Sequence, residues 1–224
     1  MSDAPPAGAA STVLSRETRA RLVEAATRAF AAHGVRNASL LDITRQAGQR
    51  NRGAVHYHFG SRTGLLIAVL DQHVDFLGVR ERELLAFART RPDDDLASAV
   101  EAIVRPTTEL AATGWSGRCF LVIVADLIAE EETAALAAVS ETLVRSGGVE
   151  VYELIEQRLP PLPGELREER LALMTAFVLR AVADRARALD EDVEAGRLRR
   201  PQLDDERFVA NLVAMTVAML RAPA

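Results

Sequence analysis

The chain contains no lysine, so all 27 of its basic side chains are arginines, a usage that points to an arginine- and alanine-rich genome. It contains one cysteine, Cys119, which excludes an internal disulfide framework, gives no cluster for a metal and fits a reducing compartment. Long apolar runs are missing as well: the longest, residues 119–125, falls far short of the roughly 20 residues of a membrane-spanning helix. Residues 1–11 are small, carry Pro5 and Pro6, and lack the basic start and apolar stretch of a secretory signal. They predict a disordered tail over 1–14 on a cytoplasmic protein without membrane contact. Enzyme fingerprints are absent too. No nucleophile elbow, P-loop or dinucleotide-binding glycine pattern occurs. The residues three before the four histidines are Phe30, Gly53, Val55 and Leu70, so the Glu-x-x-His motif of di-metal helical bundles is missing. His56 and His58, two positions apart, would point in different directions on a helix and make a poor metal pair. No catalysis, cofactor or metal is therefore expected.

What is present is an ordinary globular balance. The chain has 224 residues, 49% of them apolar and 26% charged, enough to bury a core unaided. The net charge of −5 hides an asymmetry. Residues 1–70 hold nine arginines against four acids, whereas the remainder holds 18 arginines against 28 acids. A basic head on an acidic body suggests that the head meets a polyanion, the alternative being a chance fluctuation of surface charge.

The apolar periodicity is helical almost throughout, which predicts an all-α fold. Leu22, Ala26, Ala29 and Phe30 place a first helix over 18–33, stopped by Gly34. Ser39, with Asp42 three residues on, caps a short second helix that ends at Gly48. A third short helix over 52–58 takes Asn51 as its cap. A long fourth helix is predicted over 62–90, broken by Pro92, and residues 93–95 read as a solvated linker and helix cap. Further helices are predicted over 96–112, with a bend at Pro106, then 117–129 and 133–159, with a break or kink at Gly147 and Gly148. Residues 160–164 form a hard stop before two last helices over 165–195 and 203–221. Residues 119–125 could also pass for a buried strand, but nothing else strand-like is available to pair with them.

Residues 39–59 thus hold two short helices joined by a turn. The second starts polar, basic and small (Asn51, Arg52, Gly53, Ala54) and becomes apolar at Val55 and Phe59, the pattern of a helix that packs on one flank and enters a groove with its N-terminal end. The segments "EAATRAFAAHG", "DITRQAG" and "VHYHFGSRTGLL" within 21–70 resemble the DNA-binding domain of the tetracycline-repressor (TetR) family of bacterial transcriptional regulators. The resemblance implies a three-helix helix-turn-helix domain over 15–60 and a C-terminal helical bundle for ligand binding and dimerisation over 61–224.

It further implies that Tyr57, His56, Arg62 and Thr44 contact DNA phosphates, and that Arg52, Gly53 and Ala54 read base edges. Arg52 could pair with guanine, Ala54 could touch a thymine methyl, and Gly53 would let the backbone come close. The turn departs from the family pattern: it is one residue longer, and Gln49 and Arg50 follow Gly48 where a small apolar residue is usual. Arg50 thereby becomes a further candidate DNA contact, with Asn51 beside it.

Phe76, Trp115, Cys119, Phe120 and Phe177 are candidate lining for a ligand pocket, core packing being the alternative for each. The last helix carries Phe208, Leu212, Met215 and Met219 on one side and Val209, Val213, Val217 and Leu220 on the next. So broad a stripe suggests a subunit interface, joined by Phe177, or else a central core helix of a monomer. The expected function is a homodimeric regulator that binds a palindromic double-stranded operator and is released by a small molecule of unknown identity. A helical-bundle enzyme or a protein-interaction scaffold that leaves DNA alone is the alternative.

Overall fold

The computed structural model describes residues 7–129, 133–195 and 203–223, and among these it forms eleven helices and no strand. Contacts divide the chain into two units, Met1–Val69 and Leu70–Ala224.

The head consists of α1 (Ala7–His33), α2 (Leu40–Gln46), α3 (Ala54–Phe59) and α4 (Arg62–Leu70). The disordered tail expected over 1–14 is helical from Ala7 onward, continuous with α1; residues 1–6 lie outside the described ones. α1 packs on α2, and α2 on α3. Leu22, Ala26 and Phe30 of α1, Ile43 of α2, Val55 of α3, and Leu65, Leu66 and Val69 of α4 are all buried. All of α4 but Leu70 therefore falls in the head unit, which ends at Val69 and not at the expected 60/61.

Local chemistry sets the helix ends. The Ser39 hydroxyl accepts the Asp42 amide at 3.2 Å, capping α2 as its sequence predicts. At the other end, the Gly48 amide donates to the Arg45 carbonyl and the Gln49 amide to that of Thr44. This closure requires the left-handed backbone that Gly48 adopts, with φ of 73°. Asn51 does not cap α3. Its side chain accepts the Gly53 amide at 2.9 Å, closing the turn before the helix, and Gly53 itself takes the cap position.

The body consists of α5 (Val74–Ala88), α6 (Leu96–Ala112), α7 (Trp115–Ala129), α8 (Thr133–Val144), α9 (Gly148–Gln157), α10 (Gly164–Ala195) and α11 (Asp205–Leu220). The long helix expected over 62–90 is interrupted at 71–73. There His73 leaves helical backbone geometry and shares a 2.9 Å hydrogen bond with the Ser116 hydroxyl, fixing the start of α5 against α7. Residues 119–125 are helical, within α7.

α6 is the hub, touching α5, α7, α9, α10 and α11. It continues through Pro106, whose missing amide disturbs the hydrogen-bond ladder. The hydroxyls of the next two residues bond back to the preceding turn: that of Thr107 donates to the carbonyls of Ile103 and Val104, and that of Thr108 to Val104. Asp95 caps α6 by accepting the Ser98 amide.

Three buried arginines close other helix ends. Arg158 donates to the carbonyls of Ala88 at 2.6 Å and Asp95 at 2.7 Å, joining the end of α5 to the start of α6. Arg170 donates to the carbonyls of Leu220 and Pro223 at the end of α11. Arg185 bonds the Leu203 carbonyl and Asp205, and its guanidinium lies 4.4 Å from the Phe208 ring centroid. Among the described residues, no helix is long and apolar enough to cross a membrane.

Gly64 is the tightest point of the head. A Cβ there would lie 2.0 Å from the carbonyl oxygen of Phe59. Gly64→Ala is therefore expected to destabilise the head by about 1–3 kcal/mol, measured as a lowered denaturation midpoint, whereas Gly164→Ala, with open space at its Cβ, should leave that midpoint unchanged.

Candidate nucleic-acid interface and ligand cavity

The turn and the first residues of α3 form an exposed polar and basic tip. Arg50, Asn51, Arg52, Gly53 and His56 are exposed, and Tyr57 is 80% exposed. On the other side of the same six-residue helix, Ala54 and Val55 are buried, so the core holds α3 by one flank and leaves the tip outside.

The structure assigns three of the expected contacts elsewhere. Thr44 is only 2% exposed, and its hydroxyl donates to the Leu40 carbonyl at 2.7 Å. Ala54 is buried beneath the tip, so its methyl faces the core. Arg62 turns inward, with Nη1 donating to the carbonyls of Val35 at 2.7 Å and Ala38 at 2.6 Å. The loop between α1 and α2 leaves these carbonyls without helical partners, and a guanidinium can serve both at once.

The body holds a half-open cavity of about 630 Å³ between α5, α6, α7, α8, α9 and α10. Its wall is mostly Leu, Val and Ile, with Phe120, Tyr152 and one carboxylate, Glu81. Of the expected pocket residues only Phe120 lines it. Phe76 is exposed, and Trp115, Cys119 and Phe177 are half-buried away from it. The branched aliphatic side chains that do line it look like ordinary core in a sequence.

Glu81 escaped the sequence reading, although a signal existed: it sits midway between Leu77 and Leu85 on the buried stripe of α5. It is 4% exposed, and its Oε2 has no hydrogen-bond partner. Burial pushes its pKa up to about 8, the negative charge of Glu150 adds to the rise, and Arg82 opposes it. At the start of α5, burial holds the His73 imidazole below its usual pKa against the opposing effect of Ser116.

The residues expected at a subunit interface divide between two environments. Leu212 is buried inside its own protomer, and Phe208 is half-buried under Arg185. Phe177 and Met219 are half-buried, while Met215 is 49% exposed. Leu212 therefore departs from the expected interface: its side of α11 packs against α6 and α10.

The model of bacterial regulatory proteins of the tetR family matches residues 22–69, and that of the tetracyclin repressor-like C-terminal domain matches residues 101–219. The chain belongs to the TetR family. Among relatives, the HTH-type transcriptional regulator TtgR of Pseudomonas putida is 46% identical over 57 residues, covering 25% of this chain and 27% of that protein. At that identity the chain thus spans about a quarter of the length of the curated relative. The HTH-type transcriptional regulator AcrR of Shigella flexneri is 28% identical over 166 residues, covering 71% of this chain and 74% of that protein. The solved structure of the fatty acid degradation regulator FadR from Bacillus halodurans has the same fold, with a TM-score of 0.55 at 14% identity over 99% of each chain. These TetR comparisons agree with an all-helical chain that carries its helix-turn-helix at the N-terminus.

The raised pKa of Glu81 has a definite sign. The folded carboxyl binds its proton more tightly than the unfolded one, so this contribution to stability is complete below pH 4.5 and is lost as pH rises to about 8. The melting temperature of the wild type relative to Glu81→Gln should fall across that window in a thermal melt series, and a flat difference would place the titration elsewhere.

Proposed function

We propose that the protein is a cytoplasmic, homodimeric transcriptional regulator, by default a repressor, that binds a pseudo-palindromic DNA operator and releases it when a small molecule occupies the body cavity. The observation that carries this reading is the exposed tip of α3, where Arg50, Arg52, His56 and Tyr57 stand out from a helix whose other flank is buried. Two such tips, related by a two-fold axis, reach successive major grooves when about 34–36 Å apart. Tyr57 and His56 hold phosphates, and Arg52 pairs with a guanine edge beside the close-approaching backbone of Gly53. Arg50 and Asn51, in the longer turn, lie at the edge of this contact.

Dimerisation draws on the outward faces of α10 and α11, where Leu173 and Met215 are half-exposed among alanines. Phe177, Phe208 and Met219 flank that face, whereas Leu212 supports it from inside. The effector acts by binding one spacing of the two heads better than the other. The cavity wall is tied to the first residues of the body. Ser146 and Gly148 line the cavity, and Arg145 in the same turn pairs with Asp71, two residues past the head boundary.

Quantitative binding to a selected operator tests the reading. Arg52→Ala should relax base preference at one position per half-site, at a cost of about 1–3 kcal/mol, while Arg62→Ala should lower the melting temperature and leave the salt slope of binding unchanged. An unaltered consensus with Arg52→Ala would remove this residue from base reading. Met215→Glu should give folded monomers in sedimentation, and an intact dimer would move the interface elsewhere.

A further inference from the structure

The cavity wall is chemically one-sided. Four of its residues carry hydroxyls that are already committed: Thr107 donates to Ile103 and Val104, Ser140 to Ala137, Ser146 to Leu143 and Thr175 to Leu171, all backbone carbonyls. Among the described residues no lysine, arginine or histidine lines the space. Among the described residues Glu81 is the only carboxylate in the wall, and its Oε2 is buried without a partner.

A buried carboxyl without a partner is costly, and the cost is recovered by whatever supplies the missing donor or charge. We propose that the cavity takes a lipophilic amine, whose ammonium group pairs with the Glu81 carboxylate while its apolar body fills the space beneath α6, α7 and α10. This rests on the reading of the cavity as the effector site and names the chemical class of the effector.

The charges around Glu81 favour a cation over other donors. Glu150 on α9 adds a second negative charge, and Arg82 on α5 opposes it only in part. Arg145, in the turn before α9, is engaged by Asp71. α6 contributes no titratable group to the wall, and the phenol of Tyr152 on α9 ionises only above its ordinary range, raised by burial and by Glu156 and Glu168. A neutral donor would satisfy Oε2 but leave the negative field unbalanced, and a ligand carboxylate would add to it. An ammonium answers both needs. The aromatic faces of Phe120 and Tyr152 in the same wall accept a cation as well. Burial favours the protonated form of Glu81, so a proton carried there leaves to solvent as the ammonium binds, and the carboxylate remains as its partner.

The test uses the full-length protein and three probes with one alkyl chain and different heads: decylamine, decanol and decanoate, titrated calorimetrically below their micelle-forming concentrations. Decylamine should bind about tenfold or more tightly than decanol, with decanoate weakest. Glu81→Gln should abolish the amine's advantage while keeping the affinity for decanol. If decanol or decanoate matches decylamine in the wild type, or if the preference for the amine survives Glu81→Gln, the cation assignment is overturned and the cavity still stands as a binding site. If none of the three probes binds, the effector-site reading falls together with it. The wild-type ranking decides the matter even should Glu81→Gln fail to fold.

Discussion

Helix ends expose backbone carbonyls, and in this chain arginine closes them. The last carbonyls of a helix have no intrahelical donor, so each buried end needs one from elsewhere. Arg62 serves the loop between α1 and α2, Arg158 the junction of α5 and α6, and Arg170 the end of α11. A planar guanidinium offers five donors in a fixed fork and is weakly hydrated, so it can serve two carbonyls at once at a lower desolvation cost than an ammonium. In a protein without lysine, this bonding holds together segments that lie far apart in sequence. Removing one such side chain leaves several buried acceptors without donors, the costly side of hydrogen-bond energetics.

The same bonding alters what the composition of the head implies. Nine arginines in residues 1–70 look like a large positive surface. Yet Arg62 is turned inward, Arg28 and Arg45 pair with Glu24 and Asp42, and Arg19 lies over the ring of Phe59. At the tip itself the exposed positive charge is that of Arg50 and Arg52. Position, more than the sum of charges, makes that end of the head suited to a polyanion.

Features set by neighbouring residues were legible in the sequence. The Ser39 cap, the stop at Gly48, a helix cap within residues 93–95 and the stripe of Leu22, Ala26 and Phe30 depend on spacings of a few residues, and the structure reproduces them, with Asp95 as the capping residue. Features set by distant partners were not. The acceptors of Arg62 lie at Val35 and Ala38, and no local pattern marks them. The break at 71–73 follows from the bond between His73 and Ser116, also remote in sequence. The cavity was hidden for a related reason: Leu, Val and Ile around an empty space read as they do around a full one, and aromatic content pointed to Trp115 and Phe177, which lie elsewhere. Leu212 read as interface because an apolar residue on a broad stripe gives no sign of which neighbour covers it.

A head that closes its own interior has an evolutionary consequence. Residues Met1–Val69 form a compact unit of their own, in which Phe30, Ile43 and Leu65 are buried. Recombination in the codons around Val69 and Leu70 could therefore join this head to a different sensor, or this sensor to a different head, without reopening either core. Such exchange would let the DNA addressed and the chemical signal obeyed diverge along separate lineages.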